Sequence, residues 1–185
     1  APDAVIATGS NNSSRYFESY FAGLPHIIRK HRNSVAVLTG AETPQELQLL
    51  CDDIFRYFGL GCRSVSALLV PANYDFSPLL KASEHFVNFA THHKYASNYM
   101  YYKTIFIMNK VVFTDNGILM LSPNEAYSSP VSVVHYASYS SVPAVNEKLR
   151  CDRDQLQCIV SISPEVRGAI RPGQAQFPAL NEYAD

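Results

Sequence analysis

The feature that most limits the fold is a regular alternation of short apolar runs with amphipathic ones. Residues 5–8, 34–38, 65–70, 131–136 and 156–162 read as strands, the third stopped by Pro71. The stretches between them carry helical signals. Tyr16, Phe17, Tyr20 and Phe21 recur at helical spacing after a polar turn over residues 9–14, and Gly23 closes that helix. The next helix is marked at both ends. Thr43 is placed to cap it, Pro44 takes the first helical position, Glu46 completes a capping box, and Gly59 ends it. Leu47, Leu50, Ile54 and Phe58 form its apolar stripe. Residues 77–90 read as a helix with Leu79, Leu80, Phe86 and Phe89 inward, and residues 142–149 as a short one. Residues 104–121 read as a β-meander around the tight-turn sequence Asp115-Asn116-Gly117. Residues 95–102 are tyrosine-rich and fit neither pattern, and the tail from Ile170 reads as irregular. Helices alternating with strands predict an α/β sandwich.

Composition narrows the function. At 185 residues with 47% hydrophobic and 17% charged side chains, the chain can bury a sizeable core. Fifteen basic against sixteen acidic residues give a net charge of −1, which offers no electrostatic case for nucleic acid or an anionic membrane surface. No apolar run is long enough to span a membrane, and the opening Ala1-Pro2-Asp3 lacks the features of a signal peptide. A start without Met reads as a processed chain or a piece of something longer. Cys51, Cys62, Cys151 and Cys158 show no zinc-type spacing, which predicts unpaired thiols in a reducing, cytoplasmic compartment and no metal. His85, His92 and His93 read as solvated.

Cys62 stands out. It lies between a helix end and a strand start, flanked by Gly59 and Gly61, where the backbone can approach a ligand closely and reacting groups are displayed. Arg63 could stabilise its thiolate or simply be solvated. A small buried side chain is the competing reading for Cys62. The other three cysteines lie inside helical or strand patterns and read as core or structural. The turn after residues 5–8 would point a helix N-terminus at an anion, or be a plain N-cap.

Residues 52–66, Asp52-Asp53-Ile54-Phe55-Arg56-Tyr57-Phe58-Gly59-Leu60-Gly61-Cys62-Arg63-Ser64-Val65-Ser66, strongly resemble the nucleophile region of the LuxC-type acyl-CoA reductases. These include the fatty acyl reductase of bacterial luminescence and belong to the aldehyde dehydrogenase superfamily. Ala7-Thr8-Gly9-Ser10 resembles that superfamily's cofactor-side turn, and residues 34–40 lie where its Glu-Leu-Gly-Gly segment would be. Ser129-Pro130-Val131 resembles its Gly-Pro-Val element, and the stretch from Gln176-Phe177-Pro178 to Asp185 its C-terminal segment.

The resemblance implies an aldehyde dehydrogenase-like catalytic domain, a three-layer α/β sandwich. Residues 1–40 would be the end of a nucleotide-binding domain and residues 41–185 the nucleophile-bearing domain. It implies NADPH- or NADH-dependent reduction of an acyl-CoA or other acyl thioester to an aldehyde, with Cys62 as nucleophile, and homo-oligomers as the working form. Ser10 and Glu125 are the cofactor-binding positions it suggests, Glu125 one residue out of register. Aligned without gaps, the superfamily's general-base Glu falls at Val37, which cannot activate water, and Glu42 is the nearest carboxylate. A chain lacking most of the nucleotide domain and the upstream oxyanion donor is expected to be weakly active or inactive alone. A binding or oligomerisation module of the same fold is the alternative. A cysteine hydrolase using Cys62 and His135 ranks last.

Overall fold

The computed structural model describes residues 2–9 and 11–180. They divide into two compact units, one ending at Arg32 and the other beginning at Asn33.

The first unit is a strand–helix–strand crossover. Strand β1 (Val5–Gly9) leads into helix α1 (Asn11–Tyr20), which returns to strand β2 (His26–Lys30). The two strands pair in parallel, Val5 opposite His26 and Gly9 opposite Lys30. The helix starts earlier than its apolar spacing predicts. Residues 11–14, read from sequence as a polar turn, are its first turn, because Asn and Ser suit an N-terminus. Gly9 makes the abrupt step possible, since a Cβ there would come within 2.9 Å of the Ser13 Cβ.

The second unit is built on a seven-stranded sheet. Its strands are β3 (Asn33–Val37), β4 (Val65–Pro71), β5 (Thr114–Asp115), β6 (Met120–Pro123), β7 (Val133–Tyr139), β8 (Leu156–Ser161) and β9 (Ala169–Ile170). Their spatial order is β5-β6-β7-β4-β3-β8-β9, parallel throughout except for β5 against β6. Four helices complete it: α2 (Pro44–Phe55), α3 (Ser77–Ser83), α4 (His93–Met108) and α5 (Val142–Cys151). Ala36, Leu68, Val70 and Val160 face α2 and α3, with Leu47, Leu50, Ile54 and Leu79 packed on them. The alternate residues Val35, Val37, Ala67 and Leu69 face α5 through Val145 and Leu149. Helices on both faces of a parallel sheet give the expected three layers. Strand β3 lies near the middle, and Val35, Ala36 and Val37 are fully buried, each valine contributing roughly 1.5–3 kcal/mol. Sequence reading placed residues 33–37 with the first piece of the chain; here they form a central strand of the second unit.

The β-meander is not observed over its first part. Residues 104–108 complete α4, which also takes in the tyrosine-rich stretch, and 111–113 form no strand. Helix α4 has apolar side chains on every side, Tyr95 and Tyr99 buried and Met100, Tyr101, Ile107 and Met108 exposed, so no helical period shows in its sequence. The Tyr95 hydroxyl anchors it by donating to the Ile118 carbonyl at 2.8 Å. The hairpin around Asp115-Asn116-Gly117 survives as β5 and β6. The helix expected over residues 77–90 becomes a 3₁₀ turn from Glu84 onward.

Candidate active site

The capping box of α2 forms as expected, with Thr43 Oγ1 accepting from the Glu46 N–H and the Glu46 carboxylate accepting from the Thr43 N–H. The helix does not run on to Gly59. It stops at Phe55, and Arg56–Gly59 make a 3₁₀ turn in which Tyr57, Phe58 and Gly59 are all left-handed, with φ of 57°, 59° and 71°. Each non-glycine residue held so costs about 1–2 kcal/mol. Aromatic packing offsets it. Phe58, removed from the helix stripe, lies 4.3 Å from the His92 ring and 4.8 Å from that of Phe89. His92 is thus engaged rather than merely solvated, and its Nδ1 also accepts from the Tyr95 N–H to cap α4. A second tight turn follows, Ser64 N–H to Gly61 carbonyl at 2.9 Å, and β4 begins at Val65.

Cys62 sits on that second turn, exposed, at the N-terminal edge of the parallel sheet. Its carbonyl accepts from the buried Ser34 hydroxyl at 2.9 Å. Arg63 donates through Nε to the Ala175 carbonyl, and Gln176 Nε2 donates to Ser64 Oγ at 3.4 Å. The described tail beyond Ile170 has no helix or strand, as expected, and its path is set by these bonds. Residues 171–177 run along α2 to the Cys62 turn. Asp53 holds them, its carboxylate accepting from the Gly173 N–H at 2.6 Å and the Ala175 N–H at 3.0 Å. Gly173 has φ of 84°, and a Cβ there would meet Leu49 at 2.9 Å. Phe177 lies under the Arg56 guanidinium, 4.8 Å from ring centroid to Cζ. Burial pushes Asp53 up to about 6, against the pull of its two N–H donors. Asp53 was missed from sequence, although it falls between Leu50 and Ile54 on the apolar stripe of α2.

The remaining sequence candidates scatter. Glu42 closes its own loop, accepting from Thr39 N–H at 2.6 Å, Thr39 Oγ1 at 2.9 Å and Gly40 N–H at 3.0 Å. That loop follows the C-terminal end of β3, while Cys62 precedes the N-terminal end of the parallel strand β4. Val37 pairs with Leu69 and is buried, whereas Ser34 pairs with Val65 at the Cys62 end. Three strand residues, about 10 Å, separate those levels. Neither Val37 nor Glu42 marks a base position at Cys62, and register is the reason. Glu125 is exposed on the loop after β6. That loop turns back toward the start of β4, where the Tyr127 carbonyl accepts from Ser66 Oγ at 2.6 Å. Ser10 lies outside the described residues. His135 is buried beside Ala67, its Nδ1 bonded to the Ala126 carbonyl at 3.0 Å and its basicity lowered by burial. The structure does not bring it into hydrogen-bond contact with Cys62.

No disulfide joins the cysteines, and no group of three or more potential metal ligands occurs among the described residues. Cys51 is buried, its thiol pushed up to about 12 by desolvation, and Cys158 is buried too. Cys151 is exposed at the end of α5, so of its reading as core or structural the core part does not hold. A cleft of about 20 Å³, lined by Phe58, Gly59, Ser66 and Val131 among others, adjoins the turn. A cavity of about 630 Å³ lies elsewhere, along α5 and β8, with Cys158 in its lining. No helix among the described residues is long and apolar enough to cross a membrane.

Solved structures share this fold. An indole-3-acetaldehyde dehydrogenase from P. syringae, in complex with NAD+ and IAA, superposes with a TM-score of 0.63 at 11% identity over 90% of this chain. The chain carries the aldehyde dehydrogenase fold. A 1-pyrroline-5-carboxylate dehydrogenase from Thermus thermophilus matches 88% of this chain with a TM-score of 0.60 at 10% identity. An aldehyde dehydrogenase from Bacillus cereus, as its NAD+ complex, matches 88% with a TM-score of 0.60 at 12% identity. The chain spans 41%, 39% and 40% of these three aldehyde dehydrogenase-fold proteins respectively. No family model and no curated protein matches the sequence.

Proposed function

We propose that this chain is the nucleophile-bearing part of an aldehyde dehydrogenase-type oxidoreductase that reduces an acyl thioester, such as an acyl-CoA, to the aldehyde. The observation that carries the reading is an exposed cysteine on a braced tight turn, just after a left-handed run, at the edge of an aldehyde dehydrogenase fold. The Cys62 thiolate attacks the thioester carbonyl, the bond to the coenzyme A sulfur breaks, and that sulfur leaves as a thiolate that takes up a proton. The acyl group is then a thioester of Cys62. A nicotinamide dinucleotide, NADPH or NADH, supplies hydride to that acyl carbon when bound. The Cys62 sulfur leaves as thiolate when the aldehyde departs. Neither Glu42 nor Val37 stands at Cys62 to activate water, which favours reductive release over hydrolysis.

The residues present suit such a cofactor. The β1–α1–β2 crossover has the strand–turn–helix form that receives a pyrophosphate, and Gly9 keeps its turn close. Ser10 and Glu125 are the cofactor-binding residues that the resemblance implies, and Glu125 is exposed. In this reading the unit ending at Arg32 closes a nucleotide-binding domain and the unit from Asn33 is the catalytic domain, a boundary earlier than the one at residue 40 that the resemblance implies. The longer protein would be a cytoplasmic homo-oligomer, and the 185-residue chain alone a weak catalyst. The exposed apolar side chains of α4 favour a second reading, an oligomerisation module of the same fold.

Mass spectrometry tests the reading. The chain and its Cys62→Ala variant are incubated with acyl-CoAs of graded length. An acyl adduct on Cys62, absent from the variant, is expected. No adduct at any length would overturn the proposal and leave the module reading.

A further inference from the structure

We infer that Ser34 is a positioning residue for Cys62, acting through the nucleophile's own carbonyl, and that Cys158 holds Ser34 in its working orientation. The inference rests on the reading of Cys62 as nucleophile. Ser34 is an anomaly in its strand. The next three residues of β3 are aliphatic and fully buried, and Ser34 is equally buried. A hydroxyl in such a place is unfavourable unless it is bonded. Ser34 Oγ lies 2.9 Å from the Cys62 carbonyl oxygen and 2.9 Å from Cys158 Sγ.

The hydroxyl has one proton, and a carbonyl can only accept. The Ser34 proton therefore goes to Cys62, and the Cys158 S–H donates to Ser34 Oγ. The result is a directed relay from β8, through β3, to the turn before β4. Those three strands are neighbours in the sheet, so both donors stand on rigid elements. The Arg63 carbonyl, next along the turn, is a second and more distant acceptor for the same S–H at 4.0 Å, which the closer Ser34 Oγ outcompetes.

Two consequences follow for the exposed thiol. The Ser34 hydroxyl takes up part of the negative charge on the Cys62 carbonyl oxygen, which lessens its repulsion of a thiolate on the same residue. Rotation of the Cys62 peptide would break the bond, so the direction of its Cα–Cβ bond is fixed. Loss of the hydroxyl would remove both effects.

The test reads the reactivity of Cys62 directly. The full chain and its Ser34→Ala, Ser34→Thr and Cys158→Ala variants are treated with iodoacetamide, and alkylation of Cys62 is followed relative to the exposed Cys151 by peptide mass spectrometry. The Cys62/Cys151 rate ratio is expected to fall about ten-fold in Ser34→Ala, the scale of a modest misplacement. Restoring the hydroxyl in Ser34→Thr should recover most of it. Cys158→Ala should lower the ratio less than Ser34→Ala does. A merely structural role would lower the denaturation midpoint and leave the ratio of the folded protein where it was. An unchanged ratio in folded Ser34→Ala overturns the inference. If that variant does not fold, an unchanged ratio in Cys158→Ala does so instead. The same variants are then offered the acyl-CoA series. A Ser34-dependent alkylation ratio with no acyl adduct on the native chain sinks the acyl-transfer reading and leaves the positioning role standing. Acylation at equal rates in native and Ser34→Ala chains does the reverse.

Discussion

Replacement of Asp53 by Asn sets two large effects against each other. The carboxylate accepts two backbone N–H bonds, which favour its charged form, and it is 1% exposed, which disfavours it. Burial wins, raising the group from 3.8 to about 6. The folded chain thus keeps a proton on Asp53 between about pH 4 and 6 that the unfolded chain releases, so this residue's contribution to stability falls as pH rises through that window. A difference of roughly two units corresponds to about 3 kcal/mol at most. Asn carries no charge and has no such dependence. It offers one carbonyl acceptor and turns an NH2 toward the second backbone N–H, so near pH 4 Asp53→Asn should be less stable than the native chain by about 1 kcal/mol. By pH 7 the order should reverse, the variant gaining up to about 3 kcal/mol relative to the native chain. Urea denaturation of both proteins at several pH values gives the difference, in which the other titrating groups cancel. A native chain that gains on the variant as pH rises from 4 to 7 would refute the reasoning, because the two N–H donors would then outweigh burial.

Three further outcomes are expected. Gly59→Ala places a Cβ at φ of 71° and 3.2 Å from the Ile54 carbonyl, and should cost about 1–2 kcal/mol in denaturant melts. Gly173→Ala combines φ of 84° with a 2.9 Å approach to Leu49, and should both destabilise the chain by about 1–2 kcal/mol or more and quicken proteolysis within residues 171–177. Thr43→Ala removes the hydroxyl of the α2 capping box and should lower stability by about 1 kcal/mol, read as a shift in denaturation midpoint.

The elements legible in the sequence are those whose signals are local. The capping box of α2 and the apolar run of β4 were each visible within a dozen residues, and together they located the turn that carries Cys62. Helix α4 was illegible because its apolar residues follow no period, and the Tyr95–Ile118 bond that docks it joins residues 23 apart. The left-handed run at Tyr57 and Phe58 could not be anticipated, since non-glycine residues rarely adopt it without tertiary support. The cofactor and base candidates show the same limit. Glu42 is close to Cys62 in sequence yet sits beyond the opposite end of the strands, because strand direction rather than sequence distance decides which residues meet. The tail along α2 depends on Asp53, a pairing across 120 residues.

The wiring of the Cys62 turn also sets when it can exist. Its carbonyl waits on Ser34, 28 residues earlier, but Ser34 is oriented by Cys158, 124 residues after it, and Arg63 is tied to Ala175, 112 residues on. As the chain leaves the ribosome, α2 and the turn emerge long before these partners do. The thiol is therefore synthesised early and given its final setting only when Cys158 has joined the sheet and residues beyond 170 have docked along α2. A half-made chain carries the cysteine without the geometry, so reactivity at Cys62 reports completion of the fold.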